Sequence, residues 1–262
     1  MKIGPAEKDQ VISEKGFDAL YTSRLYPARH SGWHKEDSKW KADRILEAVP
    51  QTLWQSGGDG PLKLWDAGCG AGGVLGNMIR TLKTRGISSS GVGTDLSEEA
   101  LDMAKRDWPE IEFRNTAADR MPEFFDIGLL IDVVEHVENP WELVRPVRDR
   151  CHFLIFHIPL DASWLAECFN LYPYKMETMG HIHFFTYRQA LAFVQSCGLK
   201  IISTRLTTAF SEPSAYGIDL RHRLLWFPRK ILSFLSPRLC ATLLGGFSLL
   251  IVARSPQTPR MG

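Results

Sequence analysis

"LWDAGCGAGG", residues 64–73, decides how this chain folds, because a short apolar run there gives way at once to a cluster of glycines. A strand that enters such a turn and leaves it as a helix collects backbone N–H groups and the positive end of the helix dipole at one point, where an anionic group can sit. Gly68, Gly70 and Gly73 satisfy the G-x-G-x-x-G spacing of a dinucleotide-binding turn. Asp66, just before the first glycine, speaks against that ligand, since a carboxylate at the strand's end repels a pyrophosphate. A zwitterionic amino acid fits better: its carboxylate takes the N–H groups while its ammonium lies near Asp66. S-adenosylmethionine carries such a tail.

Working outward, short apolar runs alternate with amphipathic stretches, the pattern of repeated βα units and a parallel sheet. Strands are expected at "LKLWDAG", "SGVGTDL", "IEFRNT", "DIGLLIDVV" and "HFLIFHIP", with helices at "GGVLGNMIRTLKT", "SEEALDMAKRDW" and "PWELVRPVRDRC" between them. Asp95 closes the second strand, where a carboxylate can accept hydrogen bonds from both ribose hydroxyls, and Ser97 caps the helix that follows. Upstream, Trp40, Ile45, Leu46 and Val49 lie at helical spacing, with Ser38 as the expected N-cap. Residues 1–37, which include Tyr21, Tyr26 and Trp33, read as an N-terminal extension or lid ahead of a domain over 38–262. Downstream come an aromatic segment, a helix closed by Gly198, a β-branched run, a Pro/Arg/Trp/Phe-rich insertion around 209–244 and a buried last strand, "GFSLLIVARS".

Four ordered blocks, "LWDAGCGAGG", "GVGTDLSEEALDMAK", "IDVVEHVENPW" and "GHIHFFTYRQALAFVQSCGL", resemble the class I S-adenosylmethionine-dependent methyltransferases. The resemblance is nearest to the branch of ubiquinone-type O-methyltransferases and natural-product and sugar methyltransferases. It implies an α/β, Rossmann-like fold: a seven-stranded, mostly parallel sheet with an antiparallel last strand and helices on both faces. It also implies that Gly68 and Gly70 line the methionine moiety, Asp95 the ribose and Leu96 the adenine face. The family's acidic residue at the end of the third strand, which holds the adenine amino group, is displaced here: "NTAADRMP" offers Asp119, with Ala118 beside it.

Methyl transfer from a sulfonium is an in-line displacement, so the protein needs alignment, a dry pocket and a base when the acceptor is a hydroxyl or a protonated amine. "VVEHVENP" puts Glu135 and His136 at the end of the fourth strand, and His136 is the first candidate base because an imidazole titrates near neutral pH. The alternative is that both only fix the loop and touch cofactor. In "GHIHFF", His181 and His183 would point the same way at strand-like period two, which makes His181 the second candidate; otherwise His183 packs on aromatics while His181 bonds backbone. Glu135 with these imidazoles could hold a divalent ion, but without a fixed ligand spacing no metal is expected. His157 reads as a satisfied core histidine. The segment 160–181, with Trp164, Phe169, Tyr172 and Tyr174, reads as the acceptor cap or as ordinary core.

The expected activity is methyl transfer to a hydroxyl, less readily an amine, of a small-molecule, sugar or lipid-linked acceptor. The alternatives are a nicotinamide-dependent oxidoreductase and a non-catalytic cofactor-binding protein. A net charge of +1 over 262 residues, with no arginine-rich tract, gives no reason to expect nucleic acid. Five scattered cysteines without a C-x-x-C pair, and an N-terminus lacking an apolar secretion signal, point to the cytoplasm. Residues 221–238, "RHRLLWFPRKILSFLSPR", are basic, apolar and free of acids: either a helical hairpin on the sheet or a peripheral contact with the inner membrane surface. The sequence does not specify an oligomeric state.

Overall fold

The computed structural model describes residues 35–55, 60–209 and 220–256. Tyr21, Tyr26, Trp33 and nearly all of the expected lid lie outside the described residues, as does 210–219 of the insertion. Helix α1, Lys35–Ala48, begins inside the span assigned to the extension. Ser38 is therefore not its cap but a buried residue of its first turns, pressed against Gly73, where an added Cβ would lie 2.4 Å from Ser38 Oγ. Ala42, Ile45, Leu46 and Val49 are buried, as their helical spacing requires.

The βα units then follow in the expected order. Strand β1 (Leu62–Ala67), helix α2 (Gly73–Thr84), β2 (Ser89–Asp95), α3 (Glu98–Asp107), β3 (Glu112–Asn115), β4 (Phe125–Ile131), α4 (Pro140–Arg150) and β5 (Cys151–Pro159) form the first part. Two short helices, α5 (Trp164–Cys168) and α6 (Tyr172–Met179), lead to α7 (Tyr187–Ser196), β6 (Lys200–Thr207), the hairpin α8 (Leu220–Leu235) and α9 (Pro237–Leu244), and β7 (Ser248–Arg254). The caps are local and chemical. Ser97 accepts from Ala100 N–H, Asn139 from Glu142 N–H ahead of Pro140, and Thr186 with Gln189 closes a reciprocal capping box.

The seven strands order as β3-β2-β1-β4-β5-β7-β6, with β7 antiparallel to both β5 and β6 and the other pairings parallel. The chain runs outward from β1 to β3, then restarts on the other side with β4, so the strand order reverses between β1 and β4. In open sheets of this kind ligands bind at that switch point, past the carboxyl ends of the strands. Period-two alternation divides the strands between two cores. Leu62, Leu64, Ile127, Leu129, Ile155, Leu250 and Val252 face α1 and α2, while Trp65, Leu130, Leu154, Phe156, Leu249 and Ile251 face α4 and α7.

At the switch point Gly68 has φ +84°, and a Cβ there would sit 2.4 Å from Val133 Cγ2 in the loop after β4. Backbone sign and space both demand glycine. Gly68→Ala is expected to cost about 1–3 kcal/mol. At roughly 2–4 °C per kcal/mol for a domain of this size, calorimetric melting should read a clear fall in Tm; an unchanged Tm would show that the two loops part without cost.

Candidate active site

The glycine turn is held from the neighbouring strand. Gly68 and Cys69 N–H both donate to Thr94 O, and Trp65 Nε1 donates to Thr94 Oγ1 at 2.9 Å. Asp95 completes the clasp: Oδ2 accepts from Gly70 N–H at 2.9 Å and Oδ1 from Ser97 N–H at 2.9 Å. Burial raises the Asp95 carboxyl above its usual range, and these backbone donors oppose the rise. Each oxygen keeps a second lone pair for a further donor, which suits two ribose hydroxyls.

Asp66 is buried at the end of β1 and has no hydrogen-bond donor among the described residues. Burial, then the nearby Asp95 charge, pushes its carboxyl up to about 7. A buried carboxyl beside the N-terminus of α2 suits an α-ammonium next to an α-carboxylate, so the residues present fit an amino-acid tail. Leu96, one residue past Asp95, is exposed and offers an apolar face for a base. Ala118 and Asp119 form a single 3-10 turn after β3; Ala118 is buried and Asp119 exposed.

On the acceptor side, β4 is followed by Asp132, a non-glycine residue at φ 50°, and the loop carries Glu135 and His136. Ile182 N–H and His183 N–H both donate to Glu135 O, which ties "GHIHFF" to "VVEHV". His136 Nδ1 bonds Gly180 O at 3.1 Å, and its ring meets His181 edge to face with centroids 4.7 Å apart. His181 Nδ1 bonds Asp161, just past β5, and Asp161 also pairs with Lys175 on α6. Burial alone would raise the Asp161 carboxyl, but Lys175 and His181 overcome it and hold the group well below the usual carboxylate range.

Glu135 is fully buried with neither carboxylate oxygen hydrogen-bonded. Burial, then the Asp132 charge, lifts its carboxyl well above normal. One donor atom each from Glu135, His136 and His181 lies within 4.8 Å of the others, so the three residues read separately in the sequence form one cluster able to hold a divalent ion.

Two expectations change. Residues 181–185 are irregular rather than a strand, and His181 and His183 do not share a pocket: His183 Nε2 bonds Val137 O at 2.9 Å, and its ring lies 6.4 Å from Phe185. His181 bonds a carboxylate and not backbone. His157 is the satisfied core histidine expected, with Nδ1 on Asp132 Oδ1 at 2.6 Å and Nε2 on Thr207 Oγ1 at 2.8 Å. Lys41 of α1 closes on Asp132 Oδ2 at 2.8 Å, anchoring the first helix beneath the site. Sequence reasoning missed Asp161 and Lys175; the signal for Asp161 was its place just past a parallel strand's carboxyl end. In 160–181, Trp164, Phe169 and Tyr174 are exposed rather than core, and Tyr172 packs on Phe184 with centroids 4.8 Å apart.

A family model described as a methyltransferase domain matches residues 33–204. The chain belongs to the methyltransferase domain family. Its cofactor is S-adenosylmethionine, to which the turn, Asp66 and Asp95 conform; a nicotinamide oxidoreductase, which glycine spacing alone permits, lies outside that family. The ubiquinone biosynthesis O-methyltransferase of Ruegeria pomeroyi is 34% identical over 95 residues, 34% of this chain and 36% of that protein. The enzyme of the same name from Idiomarina loihiensis is 28% identical over 130 residues, 46% of this chain and 51% of that protein. The chain thus matches about half or less of the length of these curated relatives. The crystal structure of magnesium protoporphyrin IX methyltransferase from Synechocystis PCC 6803 with bound SAH superposes with a TM-score of 0.53 at 14% identity, covering 96% of this chain and 100% of that one. That likeness shows the methyltransferase fold.

Asp66 generates a pH prediction. Its carboxyl holds a proton below about 7, and an arriving ammonium needs the carboxylate, so binding in that range releases the proton. Calorimetric titration should show S-adenosylmethionine affinity rising by up to about tenfold per pH unit below that point and levelling above it. Asp66→Asn should bind more weakly and lose the slope. In the free protein the raised carboxyl contributes stability that is full below its ordinary 3.8 and lost as pH rises through about 7, so Asp66→Asn should also flatten Tm against pH across that window.

Proposed function

We propose that the domain transfers the methyl group of S-adenosylmethionine to a hydroxyl, less readily an amine, of a small-molecule, sugar or lipid-linked acceptor, with His136 as the base and His181 beside it. The observation that carries this reading is the oriented imidazole pair. Gly180 O and the Asp161 carboxylate can only accept, so the Nδ1 atoms of His136 and His181 carry the hydrogens. In each neutral ring Nε2 is then the nitrogen that accepts a proton, which is the state a general base needs. Asp161 acts on His181 as a positioning residue, and Lys175 keeps Asp161 charged.

When bound, S-adenosylmethionine supplies an electrophilic methyl group on a sulfonium. The chain's own work is to align the acceptor, exclude water and take the hydroxyl proton at an imidazole Nε2. The exposed rings of Trp164, Phe169 and Tyr174 lie along the segment after β5 and are the side chains available to wall an acceptor. The weak likeness to two ubiquinone biosynthesis O-methyltransferases supports oxygen as the receiving atom.

The test is S-adenosylhomocysteine release over matched panels of hydroxyl and amine acceptors. With a hydroxyl acceptor the wild type turns over, His136→Ala should lower kcat by ~10²-fold or more while cofactor affinity stays nearly intact. Unchanged kcat would remove His136 from the role, and turnover with amines alone would overturn the hydroxyl assignment. Loss of activity after chelation, restored by a divalent ion, would give Glu135, His136 and His181 to an ion instead of to proton transfer.

A further inference from the structure

The hairpin α8–α9 turns the usual amphipathic arrangement inside out. Among its described charged residues Arg229 is buried: Nε and Nη2 donate to Leu244 O at 3.2 and 2.8 Å, and the guanidinium lies so near Gly246 that an added Cβ would stand 3.0 Å from Cζ. Trp226 and Leu232 pack on the core from the same side, and Cys240 and Ala241 of α9 are buried. The inward face is thereby fixed. The outward face consists of Leu224, Phe227, Ile231, Phe234 and Leu235, which recur at three- and four-residue steps along one side of α8, with Leu239 of α9 beyond them. Phe234 is 90% exposed and Leu235 73%, so large apolar side chains stand in water where a surface helix normally carries charge.

The hairpin's own charges are all of one sign. Lys230 and Arg238 are exposed beside it, over the rings of Trp226 and Tyr187, at 4.6 and 4.2 Å from the centroids. From Leu220 to Gly262 the sequence contains no Asp or Glu. A second copy docking face to face would set base against base, whereas a lipid surface with anionic headgroups accepts the apolar stripe and pairs the flanking cations. Among the described residues no helix is long and apolar enough to cross a membrane, so the contact would lie at the surface.

We propose that the outward face of α8, with Leu239, Lys230 and Arg238, docks the protein on an anionic bilayer surface. The proposal stands apart from the methyl-transfer reading, because neither needs the other. It has a consequence for the acceptor side all the same: α9 packs on α5, and Gly245 abuts Ser163 just before α5, so the segment bearing Trp164 and Phe169 is braced by the docked hairpin.

Flotation of the whole chain decides it, with vesicles of phosphatidylcholine alone and of phosphatidylcholine mixed with phosphatidylglycerol. The wild type should float with the mixed vesicles, weakly or not at all with the neutral ones, and less as salt rises. Phe227→Ser with Phe234→Ser should cut the bound fraction by about tenfold or more, and Lys230→Glu with Arg238→Glu should abolish the preference for phosphatidylglycerol. Absence of wild-type flotation with the mixed vesicles overturns the proposal whatever the variants do. So does light scattering that shows a dimer without lipid which the two serine substitutions dissolve, since the stripe would then belong to a second copy.

Discussion

The Asp95 carboxylate is the constraint on which the cofactor side is built. Its two oxygens take one N–H from the glycine turn after β1 and one from the cap of α3, so a single side chain fixes the distance between two loops that share no covalent constraint. Because those donors are backbone, the clasp does not depend on which side chains surround it. Its cost is the partial burial of a charge, and that cost falls on Asp66 as well, a second buried carboxyl that the Asp95 charge raises further. Two carboxyls crowded at the carboxyl ends of β1 and β2 are unfavourable for the empty fold and favourable for a cationic, hydroxyl-bearing ligand. The site is thus tuned for a ligand at the expense of stability.

The acceptor side solves the same problem by pairing. Asp132 and Asp161 are both partly buried, and both remain well below the usual carboxylate range because cations from other elements reach them: His157 and Lys41 for the first, Lys175 and His181 for the second. Burial raises each carboxyl, and the opposite charges outweigh it. Between these paired acids lies Glu135, whose oxygens accept no hydrogen bond among the described residues and whose burial, with the Asp132 charge, outweighs the opposing pull of Lys41 and drives it toward its neutral form. Of three carboxyls past the ends of β4 and β5, two are thus held charged and one is driven toward neutrality, with the imidazoles of His136 and His181 beside them.

The βα rhythm of the sequence carried the parallel strands and the helices between them, because strand burial on both faces leaves continuous apolar runs that are readable locally; the antiparallel last strand came only from the family resemblance. Asp66, Asp95 and His136 were legible for the same reason: position at a strand's carboxyl end is a local property. Lys175 was not, and Asp161 was passed over, since their importance comes from pairing with each other across 14 residues and two short helices. The period-two reading of His181 and His183 failed because the segment is held by two N–H bonds to a single carbonyl, that of Glu135, a pattern no extended ladder makes. Ser38 failed as a cap for a different reason: a small polar residue was needed inside a helix contact with Gly73, where tertiary packing outweighs capping preference.

Strand β7 lies between β5 and β6 and pairs with both along nearly its whole length. A ribosome must therefore release the chain past Arg254 before the sheet can close. Until then two strands, one of them fully apolar at its centre, present open edges to any extended segment they meet. The most exposed moment in the life of this protein falls during synthesis, and the residues that end it are the last strand of the sheet.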